Sequence, residues 1–230
     1  MKPKVALVLS GGGARGTAHI GAIEEIEKQG FEISSIAGTS MGALVGGIYA
    51  LGELEKFKKW ICSLDRRKVF NLVDFSIGQP GLFKAEKVLG TIKGFTSDAL
   101  IEDLRIPYAA VAVDIINKKE VVFTTGKLYD AVRASIAIPL IITPVKTKNG
   151  LLVDGGVMNN IPVNHVKRTP GDILIAVDVN ANIPILKPQV SLKEKKEKQS
   201  SYQKKIIEFY DQLYRMIPHN KGEKMGYFEL

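Results

Sequence analysis

Cysteine is all but absent from the 230-residue chain, which carries only Cys62 and so can close no internal disulfide. A lone cysteine suits a reducing compartment, and Cys62 is expected as a buried small residue rather than a reactive thiol. Histidine is scarce too, with three in all. No histidine cluster, Cys-x-x-Cys pair or calcium loop is present, so no metal or organic cofactor is implied. No apolar stretch approaches the roughly 20 residues of a spanning helix. The first strand begins by Val5, which leaves no room for a signal peptide, and a cytoplasmic location is expected.

What is present is enough apolar material for a core: 45% of the residues are hydrophobic, and one domain over 1–230 is expected. Val5-Ala6-Leu7-Val8-Leu9 is a continuous apolar run of strand length, typical of a parallel strand buried on both faces. A helix is expected over 18–29, closed by Gly30, then a short strand over 33–37 and a helix over 41–51 that continues over 53–62. Residues 65–84 read as a mobile segment over a cleft. Further strands are expected over 108–115, 121–124 and 173–179. Asn117-Lys118-Lys119 and Lys148-Asn149-Gly150 read as hairpin turns that add antiparallel edges. The alternation predicts an α/β fold, a three-layer sandwich with a mostly parallel central sheet flanked by helices.

Ser40 lies in Gly38-Thr39-Ser40-Met41-Gly42, between strand and helix. A G-x-S-x-G at such a junction is the nucleophile-elbow pattern, in which Gly38 and Gly42 allow a sharp turn that lifts the hydroxyl clear. An ordinary strand-to-helix turn with Thr39 or Ser40 as N-cap fits the same five residues. Upstream, Gly11-Gly12-Gly13-Ala14-Arg15-Gly16 joins the first strand to a helix. Three uses of that loop are open. Its glycine spacing satisfies the dinucleotide fingerprint, but the next strand ends in Ala37-Gly38-Thr39-Ser40, without the carboxylate that would hold a ribose. Backbone N–H groups at a helix N-terminus also suit an oxyanion hole, with Arg15 bracing the loop or meeting an anionic headgroup. A plain glycine-rich turn is the third reading.

A serine nucleophile needs a base. His19 sits in the first turns of a helix, where packing or capping is expected; His165 follows what reads as a loop entering a helix; His219 falls in a polar tail. None occupies a loop after a late strand, where a Ser-His-Asp order would place it. Asp154, ending Leu151-Leu152-Val153 and followed by Gly155-Gly156, can aim a carboxylate into a cleft, although Asp-Gly is also a common turn pair.

Taken together, Gly11 to Gly16, Gly38 to Gly42 and Asp154 to Gly156 resemble the patatin-like phospholipase family, marked by G-G-G-x-R/K-G, G-x-S-x-G and D-G-G or D-G-A. Arg133-Ala134-Ser135-Ile136-Ala137-Ile138-Pro139 is similar to a fourth block of that family. The resemblance runs over residues 4–179. It implies a Ser-Asp dyad without histidine: Ser40 as nucleophile, Asp154 as general base on a loop with Gly155 and Gly156, and Gly11, Gly12, Gly13, Ala14, Arg15 and Gly16 as oxyanion hole. Ser135 and Pro139 are implied as substrate contacts. The implied reaction is two-step hydrolysis of a carboxylic ester, with a non-catalytic lipid-binding or regulatory adaptor on the same fold as the alternative. A carboxylate of ordinary pKa near 3.9 is a weak base toward a serine hydroxyl, so a dry cleft that raises its pKa is expected.

Composition shifts near the end. Residues 186–205 hold seven lysines against two glutamates, a net +5 within the chain's +8. A solvated insertion accounts for such a run, and so does docking on an anionic membrane surface. An apolar-rich helix is expected over 206–217, stopped by Pro218. Relatives usually continue with further helix and strand, whereas this chain stops at Leu230, so a shortened end or a different closing element is expected. The expected partners are a lipid or other acyl ester, an anionic membrane surface at its periphery and a second copy of the chain, with no nucleic acid.

Overall fold

The computed structural model describes residues 2–72 and 83–182. The fold described is that of one compact unit ending at Ala181. The lysine-rich run over 186–205, the helix expected over 206–217 and His219 lie outside the described residues.

The apolar run that begins at Val5 becomes strand β1 (Lys4–Leu9), buried from Val5 onward. It is flanked in parallel by β2 (Glu32–Thr39) and β7 (Ile173–Val177), and β2 pairs in parallel with β3 (Tyr108–Asp114). The hairpin turns at 117–119 and 148–150 supply the antiparallel members, β4 (Lys119–Phe123) on β3 and β5 (Val145–Lys146) on β6 (Leu151–Asp154). The seven-stranded sheet is therefore mixed, with four parallel strands and antiparallel additions beside β3. Asp114 pins both turns, because its Oδ1 accepts the N–H groups of Ile116 at 3.0 Å and Leu151 at 3.2 Å.

One detail of the pairing positions the site. Ala112 pairs with Val121 of β4 and with Asp154 of β6, so those two strands occupy opposite edges of β3. Val111 pairs with Val122 of β4 and with Thr39 of β2, so β2 shares its edge with β6. β2 runs up to Val111, β6 runs down to Ala112, and their C-terminal ends meet head to head. Gly155 makes the junction possible, since a Cβ there would lie 2.3 Å from Val111 O.

The two-residue period of a strand sorts β1 between two cores. Val5, Leu7 and Leu9 join Ile20 and Ile23 of helix α1 (Ala18–Lys28), Ile48 of α2 (Met41–Leu51) and Phe57 of α3 (Leu54–Cys62). Ala6 and Val8 face the other way, with Ala37, Ala109 and Val166. Each fully buried aliphatic or aromatic side chain of the first core contributes roughly 1.5–3 kcal/mol relative to exposure. Helix α3 buries Leu54 and Phe57 and leaves Cys62 exposed at its last position, so the expectation of a buried cysteine is corrected. Residues 65–84 are not a single loose segment: Arg66–Leu72 is helix α4, and residues 73–82 lie outside the described residues. Helix α5 (Glu86–Lys93) and helix α6 (Leu128–Ser135) complete the set.

Candidate active site

Ser40 occupies the turn between β2 and α2 with φ 55° and ψ −123°, a left-handed conformation that costs a non-glycine residue about 1–3 kcal/mol. The turn is tight enough to exclude side chains on both sides. A Cβ on Gly38 would lie 2.5 Å from Gly42 O, and one on Gly42 would lie 2.2 Å from Leu9 O. Ser135, at the end of α6, holds the strained turn from behind: its Oγ accepts the Ser40 N–H at 2.9 Å and donates to Val111 O at 2.6 Å. Ser135 is fully buried, so the substrate contact expected of it gives way to a bracing one. Pro139 is exposed, next to Leu140, which is itself left-handed at φ 67°.

Opposite the turn stands Asp154, the last residue of β6. Ser40 Oγ donates to Asp154 Oδ2 at 2.5 Å, and Gly156 N–H donates to Oδ1 at 2.8 Å. Both Ser40 and Asp154 are 5% exposed. Burial pushes the Asp154 carboxyl above its usual value, outweighing the hydrogen bonds from Ser40 and Gly156 that favour the anion. That shift strengthens a weak base in the direction that proton abstraction from serine requires.

The histidines are engaged elsewhere. His19 is fully buried, and its Nε2–H donates to Ser10 O at 2.8 Å, while burial lowers its pKa. His165 Nε2 meets Glu120 Oε2 at 2.5 Å, on a segment of turns rather than at the mouth of a helix. Among the described residues, neither hydrogen-bonds Ser40 or Asp154. The described residues also contain no group of three His, Cys, Asp or Glu side chains that could hold a metal ion.

The glycine loop abuts Ser40, since a Cβ on Gly11 would lie 3.2 Å from Ser40 Cβ. Its six residues are not equivalent. Gly11 N–H donates to Asn160 O at 3.1 Å and Arg15 N–H donates to Gly12 O at 3.1 Å, so neither is a free donor. Gly16 lies within a 3-10 turn (Gly13–Thr17) against Met41. Among the described residues, the N–H groups of Gly12, Gly13 and Ala14 have no acceptor, and neither does that of Met41, which opens α2 beside Ser40. Three unpaired donors remain at the loop's centre, next to a helix N-terminus, which is the arrangement a developing oxyanion needs.

The chain following Asp154 ties these parts together. Thr39 Oγ1 donates to Asn159 O at 2.8 Å, and Asn159 Nδ2 donates to Glu120 Oε2 at 3.1 Å. The contributions of Asn159 and Asn160 carry no signal in the sequence, because their partners lie far away along the chain. A cavity of about 320 Å³ lined by Ile36, Tyr108, Thr124, His165 and Lys167 does not include Ser40 or Asp154.

A family model described as Patatin-like phospholipase matches residues 7–167. An uncharacterized NTE family protein of Mycobacterium bovis is 44% identical over 180 residues, covering 78% of this chain and 50% of its own. Lysophospholipase NTE1 of Scheffersomyces stipitis is 34% identical over 185 residues, covering 77% of this chain and 12% of its own. Among solved structures, VipD from Legionella pneumophila aligns with a TM-score of 0.48 at 15% identity, over 76% of this chain and 49% of that one. The chain thus spans half the length, or less, of these curated relatives. No helix among the described residues is long and apolar enough to cross a membrane. The family match takes in most of the chain and every residue of the Ser40–Asp154 pair and glycine loop, and the chain belongs to the patatin-like phospholipase family.

Proposed function

We propose that this chain is a lipid acyl hydrolase that cleaves carboxylic esters through a Ser40 acyl-enzyme. The observation that carries the reading is the 2.5 Å hydrogen bond from a strained Ser40 to a buried Asp154 of raised pKa. Ser40 Oγ attacks the ester carbonyl carbon as its proton passes to Asp154, and the carbonyl oxygen becomes an oxyanion facing the Gly12, Gly13 and Ala14 N–H groups. The tetrahedral intermediate collapses, the C–O bond to the alcohol breaks, and Asp154 returns the proton to the leaving oxygen. Water then attacks the acyl-Ser40 carbonyl with Asp154 again taking a proton, and the acid leaves as Ser40 Oγ is reprotonated.

Two observations support an apolar acyl group. Residues 134–145 and 155–164, which flank the base on either side, contain no charged residue. They also expose Leu140, Ile141, Val157 and Met158 to solvent, and each methylene of an acyl chain buried on such a surface contributes about 0.8 kcal/mol. A relative bearing the name lysophospholipase points the same way.

A fluorophosphonate probe tests the proposal, because it reacts with an activated serine through the same displacement. Mass spectrometry should find the phosphonyl group on Ser40, and Asp154→Asn should lose the label. A folded wild-type chain that stays unlabelled and turns over no ester would replace the hydrolase with the lipid-binding adaptor.

A further inference from the structure

Asn180 lies beyond residue 167, where the family match ends, yet its side chain reaches back to the glycine loop. Its Nδ2 donates to Gly11 O at 2.6 Å, and its Oδ1 accepts from Arg15 Nη1 at 3.1 Å. One amide therefore spans the loop from its first glycine to its arginine. The backbone that carries this side chain is also held, because the main-chain N–H of Asn180 donates to Asp178 Oδ1 at 2.9 Å in a short side-chain-to-backbone turn. Beside it, Val179 N–H donates to Ser10 Oγ at 3.1 Å, and Val179 Cγ2 packs so closely that a Cβ on Gly12 would lie 2.3 Å from it. From the other side Asn160 also reaches Gly11 O, but at 3.5 Å, so the short bond is that of Asn180.

We propose that Asn180 is a positioning residue for the oxyanion loop, an inference that rests on the hydrolase reading of the same site. Oxyanion stabilisation depends on donors fixed before charge develops. Gly12, Gly13 and Ala14 keep their N–H groups unpaired, and a run of three glycines has wide conformational freedom. Arg15 N–H closes the run onto Gly12 O, and Asn180 holds it at both ends, at Gly11 O and at the Arg15 guanidinium. Asn180 itself is exposed, so its replacement leaves the core untouched.

The test compares Asn180→Ala and Asn180→Asp with wild type on a soluble p-nitrophenyl ester and on a trifluoromethyl ketone, whose adduct with Ser40 followed by fluorine NMR copies the tetrahedral intermediate. Asn180→Ala should lower kcat by roughly tenfold, less than the hundredfold or more that loss of a donor itself brings. KM and the thermal midpoint should stay at wild-type values, and ketone affinity should fall by the same factor as kcat/KM. Asn180→Asp keeps the acceptor for Arg15 but sets a carboxylate oxygen against Gly11 O, and should lose at least as much. Wild-type kcat and ketone affinity in both variants would overturn the proposal, as would a loss of kcat that follows a lowered thermal midpoint with ketone affinity unchanged. A wild type that hydrolyses no ester would sink the hydrolase reading, yet ketone binding would still report the loop; no adduct at all would overturn both.

Discussion

Thr39 and Asp154 end two strands that run toward each other along the same edge of β3, paired with the adjacent residues Val111 and Ala112. The residue after Thr39 is Ser40, so the hydroxyl and the carboxylate are brought together by strand register. Neither side chain depends on a mobile loop to reach the other. Asp154 ends a strand and Ser40 directly follows one, and groups so mounted hold their geometry more closely than groups on long loops.

Removing either member should abolish nearly all turnover while sparing the fold. Ser40→Ala and Asp154→Asn should each lose nearly all hydrolysis of a short p-nitrophenyl ester, and the double variant should be little worse than either single one. Additive losses, measured as kcat/KM in the four-member cycle, would mean that the two side chains do not act as a unit.

The pH dependence follows from the raised pKa of Asp154. As a base Asp154 must be ionised, so kcat/KM should fall on the acid side with an apparent pKa above the ordinary 3.8. Stability runs the other way. A carboxyl whose folded pKa is raised binds its proton more tightly in the folded state, so its stabilising contribution is complete below 3.8 and is lost as pH rises through the folded value. Asp154→Asn should therefore have a higher thermal midpoint than wild type at pH 7, with the difference vanishing in acid. An equal or lower midpoint at pH 7 would contradict the burial of the charge.

Ser135→Ala strips the Ser40 N–H and Val111 O of their shared partner. A buried polar group left unsatisfied costs about 1–3 kcal/mol, so the thermal midpoint should fall by several degrees. Because the lost bond holds the strained turn, kcat should fall as well, with KM for a soluble ester little changed. Unaltered kcat alongside a lowered midpoint would confine Ser135 to stability.

The glycines of the site should separate into two classes. Gly42→Ala drives a Cβ to 2.2 Å from Leu9 O and 2.6 Å from Ser10 O, backbone atoms that cannot rotate away, and should cost at least about 3 kcal/mol. Gly13→Ala meets no atom within 4 Å and carries only the penalty of φ 52°, about 1–2 kcal/mol. Denaturant midpoints of the two variants give the comparison directly, and a Gly42→Ala protein as stable as Gly13→Ala would refute the packing.

Much of this was legible because the chemistry sits in contiguous runs. Val5 to Leu9 announces a doubly buried strand, and Gly38 to Gly42 announces the strained turn, since both depend on neighbours in sequence. The pairing of Ser40 with Asp154 came through the family resemblance of three separate motifs, not from any local property of Asp154. What sequence periodicity does not carry is register. Nothing near Ser135 says that it faces the Ser40 N–H, 95 residues away, and nothing near Asn180 says that it faces Gly11, 169 residues away. Cys62 was misplaced for a related reason: α3 spends its buried face on Leu54 and Phe57, and its last turn emerges into solvent.

The head-to-head junction of β2 and β6 also orders events during synthesis. A nascent chain displays Ser40 long before Asp154 has been polymerised, 114 residues later. Without β6, Ser40 lacks the carboxylate that accepts its hydrogen bond, and the edge of β3 beyond Val111 lacks the strand that pairs there. On the mechanism proposed above, a fragment that ends before the β6 hairpin should turn over no ester, and the first appearance of turnover should mark closure of the sheet.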